Sequence, residues 1–116
     1  MAYLNTNNYQ EAINHLDVFK SDDEMLGPLA KGAIGDAFVQ LNQNDEALNY
    51  YEKAATMKTN NVTTPRFLLK AGITSLNLGK IDQALNHFKN ITENFPDSQE
   101  VGKAIIYEGK AEAMKQ

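Results

Sequence analysis

Arg66 and Lys70 stand four residues apart in the stretch Pro65-Arg66-Phe67-Leu68-Leu69-Lys70. On a helix that spacing puts both cations on one face, where together they can hold a carboxylate. The rest of the candidate chemistry is thinner. The histidines are His15 and His87, and there is no cysteine. Disulfides and thiolate zinc sites are therefore excluded. Gly27-Pro28-Leu29-Ala30-Lys31-Gly32 begins like a phosphate-binding loop, but Ala33 and Ile34 follow it. The Lys and Ser/Thr that would hold phosphate and its metal are missing. These glycines predict close helix packing instead. Acidic residues gather at Asp22-Asp23-Glu24 and Asp45-Glu46, with Glu11 alone. Carboxylates near a helix start complement the macrodipole, so capping is expected rather than acid–base catalysis. Asn61-Val62-Thr63 and Asn90-Ile91-Thr92 read as glycosylation sequons, which have meaning only in a eukaryotic secretory pathway.

Composition narrows the class further. The chain has 116 residues, 42% hydrophobic and 22% charged, the balance of one soluble globular domain over residues 1–116. A net charge of −4 argues against nucleic acid as the main partner. No apolar run approaches the ~20 residues needed to span a bilayer, so no membrane contact by this segment is expected. Met1-Ala2-Tyr3-Leu4-Asn5-Thr6 lacks the basic and apolar segments of a signal peptide. The compartment stays open between cytoplasm and bacterial periplasm.

The elements that must position these side chains come from a repeat. Ala12-Ile13-Asn14-His15-Leu16, Ala47-Leu48-Asn49-Tyr50-Tyr51 and Ala84-Leu85-Asn86-His87-Phe88 are copies of one pattern, 35 and 37 residues apart. A period in this range predicts a solenoid. A short, mostly polar corner precedes each alanine, and an apolar helix face precedes each corner: Ile34, Phe38 and Leu41, then Leu68, Ala71, Ser75 and Leu78. The face resumes four and seven residues after each alanine, at Leu16 and Phe19, Tyr51 and Ala54, Phe88 and Ile91. Each unit is thus two antiparallel helices, with the small alanine where they cross. Helices are expected over 9–20, 25–41, 45–58, 65–78, 82–94 and 99–115. Asn60 to Thr64 reads as a loop, and Ser98 as the N-cap of the last helix. That helix should bury Ala104, Tyr107, Ala111 and Met114. His15 and His87 share a repeat position two units apart, on the order of 20 Å from one another. Each reads as an exposed histidine, and neither can share a metal with the other.

The pattern resembles the tetratricopeptide repeat. The second unit matches through Ile34-Gly35, Phe38, Ala47, Tyr51 and Ala54, the third through Leu68, Ala71-Gly72, Ala84, Phe88, Ile91 and Pro96. Lys31, Thr59 and Ser75 depart from the family's apolar, proline and aromatic positions. The resemblance implies an all-α, right-handed superhelical solenoid of antiparallel helix pairs. Its parts are a partial first repeat (1–20), a second (25–58), a third (65–96) and a C-terminal capping helix (99–115). In the repeat register Met1 falls within a first helix, so the sequence is expected to be a piece of a longer repeat protein; the alternative is a short protein that dimerises. Asn94-Phe95-Pro96-Asp97-Ser98 resembles a linker in bacterial envelope-associated members, of the ancillary translocon-subunit and Tol–Pal cell-division coordinator types, some of them membrane-anchored.

The resemblance also implies a groove lined by the first helix of each unit. Leu29, Gly32, Ala33, Asp36 and Gln40 would face it from the second unit, and Arg66, Leu69, Lys70, Ile73 and Asn77 from the third. Asn5, Gln40 and Asn77 share one repeat position, and such a ladder of amides can pair with an extended peptide backbone. Arg66 and Lys70 match two basic positions of the carboxylate clamp in chaperone-binding members, although Ala33 replaces the clamp's asparagine. The last helix would add Lys103, Lys110 and Tyr107, in a register open by one residue. Tyr107 then either meets the ligand or packs on the third unit. The expected function is non-catalytic binding of a protein or peptide, an acidic one, with no cofactor. The rival is a structural spacer that forms homo-oligomers through its open repeat edges.

Overall fold

Two turns of the same kind organise the described residues. The computed structural model describes residues 26–57 and 59–115. Among them run α1 (Leu26–Gln40), α2 (Asn44–Thr56), α3 (Thr63–Asn77), α4 (Ile81–Asn94) and α5 (Val101–Met114), with no strand. The helix expected over 9–20, together with Tyr3, Asn5, Glu11, His15 and the Asp22 to Glu24 cluster, lies outside the described residues.

After α1, Asn42 takes a left-handed φ of 60°, and after α3, Gly79 takes one of 77°. Asparagine and glycine tolerate that region, where most side chains clash. Each reversal then satisfies the last helical carbonyls in the same way. The Gln43 N–H donates to the Phe38 carbonyl at 2.9 Å and the Asn42 N–H to that of Val39 at 3.0 Å. Lys80 donates to Ser75 at 2.8 Å and Gly79 to Leu76 at 3.0 Å. A left-handed residue closing a helix with these two bonds is a standard C-terminal stop. The turns are so short that α1 and α2, and then α3 and α4, lie side by side as neighbours.

The long connection before α3 is built differently. The Asn60 carboxamide oxygen accepts from the N–H groups of Val62 and Thr63 at 2.8 and 2.7 Å, and its amide donates to the Thr63 hydroxyl at 2.7 Å. Thr63 and Thr64 are buried and already helical. They were expected in the loop; the Asn60 bonds, which supply partners for the first N–H groups, start the helix two residues before Pro65. At α5 the correction runs the other way. Ser98 does not cap it: the helix begins at Val101 without a side-chain cap, and the buried Ser98 hydroxyl has no hydrogen-bond partner among the described residues.

Packing repeats as well. Ala47 and Ala84 are fully buried at the crossings. Three helix glycines each receive an aromatic ring. A Cβ on Gly35 would stand 2.6 Å from Tyr51, one on Gly72 2.4 Å from Phe88, and one on Gly32 2.1 Å from Phe67. The first two contacts close a unit onto itself; the third joins α3 to α1. Both Tyr51 and Phe88 were legible as core from the repeat. The glycines of the phosphate-loop look-alike include Gly32, which makes the close packing expected of it.

Burial shows which face of α5 packs inward. Ala104 and Ala111 are fully enclosed, Tyr107 is partly enclosed, and Met114 is 54% exposed. Met114, expected in the core, stands largely in solvent, while the Lys115 ammonium beside it reaches Asp82 of α4 at 3.0 Å.

Candidate functional site

The first helices of the two units, α1 and α3, flank an open cleft of about 200 Å³. Val39 comes from α1, Asn44 and Tyr51 from α2, and Lys70, Ile73, Thr74 and Asn77 from α3. Lys70, Ile73 and Asn77 were expected in a groove, and they share this cleft. Helix geometry explains why: residues 70, 73, 74 and 77 follow the spacing of one helix face.

Lys70 does not stand there as an unpaired cation. Its Nζ donates to both carboxylate oxygens of Asp36 at 2.9 and 3.1 Å. The Tyr51 hydroxyl donates to the same Asp36 carboxylate, and the Lys70 ammonium lies 5.7 Å from the Tyr51 ring centroid. Tyr51 is 4% exposed. Burial, then the Asp36 hydrogen bond and charge, push its phenol far above the usual tyrosine range. The result is a small network that ties α1, α2 and α3 together. The Lys70 and Asp36 side chains remain 34% and 52% exposed, so the ion pair itself is worth little in water. Its content is positional: it fixes the ammonium at the cleft.

The remaining expected residues separate. Arg66 is exposed, its guanidinium 5.7 Å from the Phe67 ring centroid. It borders a different cleft, of about 360 Å³, with Asn61, Val62, Asp97 and Glu100 among its walls. Arg66 and Lys70 are therefore not a matched pair of open cations: Asp36 has engaged one of them. Gln40 and Asn77 are both exposed at the last residues of α1 and α3. Asn77 lines the α1–α3 cleft, whereas Gln40 is not among its walls.

Leu69 requires a correction. It is 9% exposed and belongs to the main core cluster with Phe67, Leu68 and Ala104. α3 is the central helix, touched by all four others, so a position that faces outward in an isolated unit is enclosed. Ile73, half-buried, is left as the apolar surface of the expected pair. Tyr107 resolves to the packing alternative. Its ring stacks on Phe88 with centroids 5.6 Å apart, because the α5 register turns residue 107 toward α4.

His87 also departs from its expected exposure. Its Nε2 lies 2.8 Å from a Glu52 carboxylate oxygen, and its side chain is only 18% exposed. It joins α4 to α2 on the side formed by the second helices. Among the described residues no group of three His, Cys, Asp or Glu side chains can hold a metal ion, and no helix is long and apolar enough to cross a membrane.

Sequence reasoning placed Asp36 in the groove but missed its ties to Tyr51 and Lys70. The signal was there. Asp36 and Lys70 are 34 residues apart, close to one repeat, so stacking brings opposite charges together on adjacent helices.

Two family models, each described as Tetratricopeptide repeat, match residues 30–61 and 67–98. The first covers α1 from Ala30 onward and all of α2, the second α3 from Phe67 onward and all of α4. No curated protein matches the chain. Tetratricopeptide repeats are generally protein-interaction modules and typically non-catalytic scaffolds. With both helix pairs matched over more than half of its length, and each pair closed by an aromatic ring on a glycine, the chain belongs to the tetratricopeptide repeat family.

Proposed function

We propose that this chain binds an extended, acidic segment of a protein partner in the cleft between α1 and α3. The observation that supports the reading is the company kept in that cleft. An amide at Asn77, an apolar wall at Val39 and Ile73, and a fixed ammonium at Lys70 line one open volume. An extended strand offers each of them a match: a backbone amide, an alternate apolar side chain and a carboxylate. Lys70 has three donor hydrogens, and its contacts to Asp36 leave donor capacity for an incoming acid. Gln40 and Asn77 supply the amide ladder at the helix ends, and Arg66 draws the acidic segment along the α3 face. Ile73 carries the apolar contact.

The test is selection of random 12-residue peptides displayed on phage against the purified protein, followed by titration of the best peptide with variants. Acidic peptides are expected. Asn77→Ala combined with Arg66→Glu should weaken binding by tenfold or more, the range for losing a charged contact and an amide contact together, about 1.5–3 kcal/mol. Full affinity in that double variant, with backbone amide NMR shifts confined to α4 and α5, would overturn the reading.

A further inference from the structure

We propose that the outward face of α5 docks on the α5 of a second copy of this chain, the two helices running parallel. This goes beyond the cleft reading and does not depend on it. Ile105 and Ile106 are 59% and 61% exposed, the largest adjacent apolar pair at the surface of the described residues. They stand among glycines that differ from those in α1 and α3. Among the described residues, Gly102 and Gly109 have nothing within 4 Å of where a Cβ would be, whereas Gly32, Gly35 and Gly72 are each filled by a ring. The helical period puts Gly102, Ile106, Gly109 and Ala113 along one line, opposite the buried Ala104 and Ala111. Small residues on that line let a second helix approach closely, with Ile106 as the knob.

Charge selects the occupant. Lys103 and Lys110 run along one flank of the line, Glu108 and Glu112 along the other. When two parallel copies meet about a two-fold axis along the helices, the basic flank of each faces the acidic flank of the other, twice over. An antiparallel pair would set lysine against lysine and glutamate against glutamate. The sequence of this one helix is thus complementary to itself in the parallel sense. A single helix face buries less than the ~1,200 Å² of a standard interface, so the dimer is weak and reversible.

Sedimentation equilibrium of the full chain reads this directly. From about 10 μM to about 1 mM, where weak interfaces dissociate, the mass should rise from 12.9 kDa toward twice that value and stop. Lys103→Glu/Lys110→Glu makes both flanks acidic, and Glu108→Lys/Glu112→Lys makes both basic. Each variant alone should be monomeric, and an equimolar mixture should dimerise again. A wild type that stays monomeric at 1 mM, a mass that grows without limit, or charge variants that dimerise alone would each overturn the proposal. So would a mixture that remains monomeric while both variants keep the helical circular dichroism of the wild type. If either variant unfolds, Ala113→Cys decides, since the chain has no other cysteine. Parallel pairing puts the two sulfurs together, and a disulfide dimer should form under mild oxidant. Its absence at 1 mM would overturn the proposal.

Discussion

Gly72 in α3 and Gly109 in α5 are the same residue in two opposite surroundings. Above Gly72 a Phe88 ring atom lies 2.4 Å from where a Cβ would stand; above Gly109 no atom of the described residues lies within 4 Å. A glycine inside a helix costs about 1 kcal/mol relative to alanine. In α3 that cost is offset, because the missing side chain admits a ring that buries on the order of 150–250 Å². In α5, within one chain, nothing offsets it. The contrast teaches that these glycines are half of a two-residue device. The other half is an aromatic side chain one or two helices later, and where it is absent the glycine marks surface available to something else.

The contrast breaks most visibly at the ring. Phe88 is fully buried, and Phe88→Ala should cost about 3–5 kcal/mol of unfolding free energy, measured in urea. It removes the support of Gly72 and of Tyr107 together. A loss below about 1 kcal/mol would mean that the ring is not what holds α3 to α4.

Tyr51 sharpens the comparison, because it fills Gly35 while its hydroxyl donates to Asp36. Tyr51→Phe keeps the ring and should cost only about 1 kcal/mol at neutral pH, the net worth of one hydrogen bond. Its larger signature is alkaline. The folded-state pKa is raised above the ordinary value near 10, so the native state holds a proton that the unfolded chain releases there. Stability from this group is intact below pH 10 and falls as pH rises past it. The wild type should therefore lose stability above pH 10 more steeply than Tyr51→Phe. Parallel curves would remove the buried, Asp36-bonded phenol from the account.

The smallest effect is expected at the open glycine. Gly109→Ala in dilute protein, where no second copy docks, should raise stability by up to about 1 kcal/mol. A measurable loss instead would show that α5 is crowded on its outer side even in the monomer.

Much of the fold was legible in the residues. The 35- and 37-residue spacing of Ala12, Ala47 and Ala84 set the register, and the five described helices lie within two residues of the expected bounds at each end. The reason is physical: helix periodicity, turn chemistry and a small residue at each crossing are local signals, repeated once per unit. The misreadings at Ser98 and at Thr63 and Thr64 were also local. They turned on which polar side chain actually reached the free N–H groups, and Asn60 did so before Pro65 was reached.

The candidate site was legible only as positions. Sequence by itself determined that Lys70, Ile73 and Asn77 share one face of α3, and that Asp36 sits on the facing helix. The tertiary structure alone decided that Asp36 holds Lys70 and takes the Tyr51 hydrogen bond, that Arg66 borders another cleft, and that Leu69 is core. It also decided that Tyr107 stacks on Phe88 rather than facing the cleft. A residue's face follows from its own helix, whose 3.6-residue period is written in the chain. Whether that face is open, filled or neutralised depends on side chains from two or three other helices. Those meet only when the units stack: a separation near one repeat, as between Asp36 and Lys70, marks two residues as neighbours, but only the packed side chains decide which of them pair.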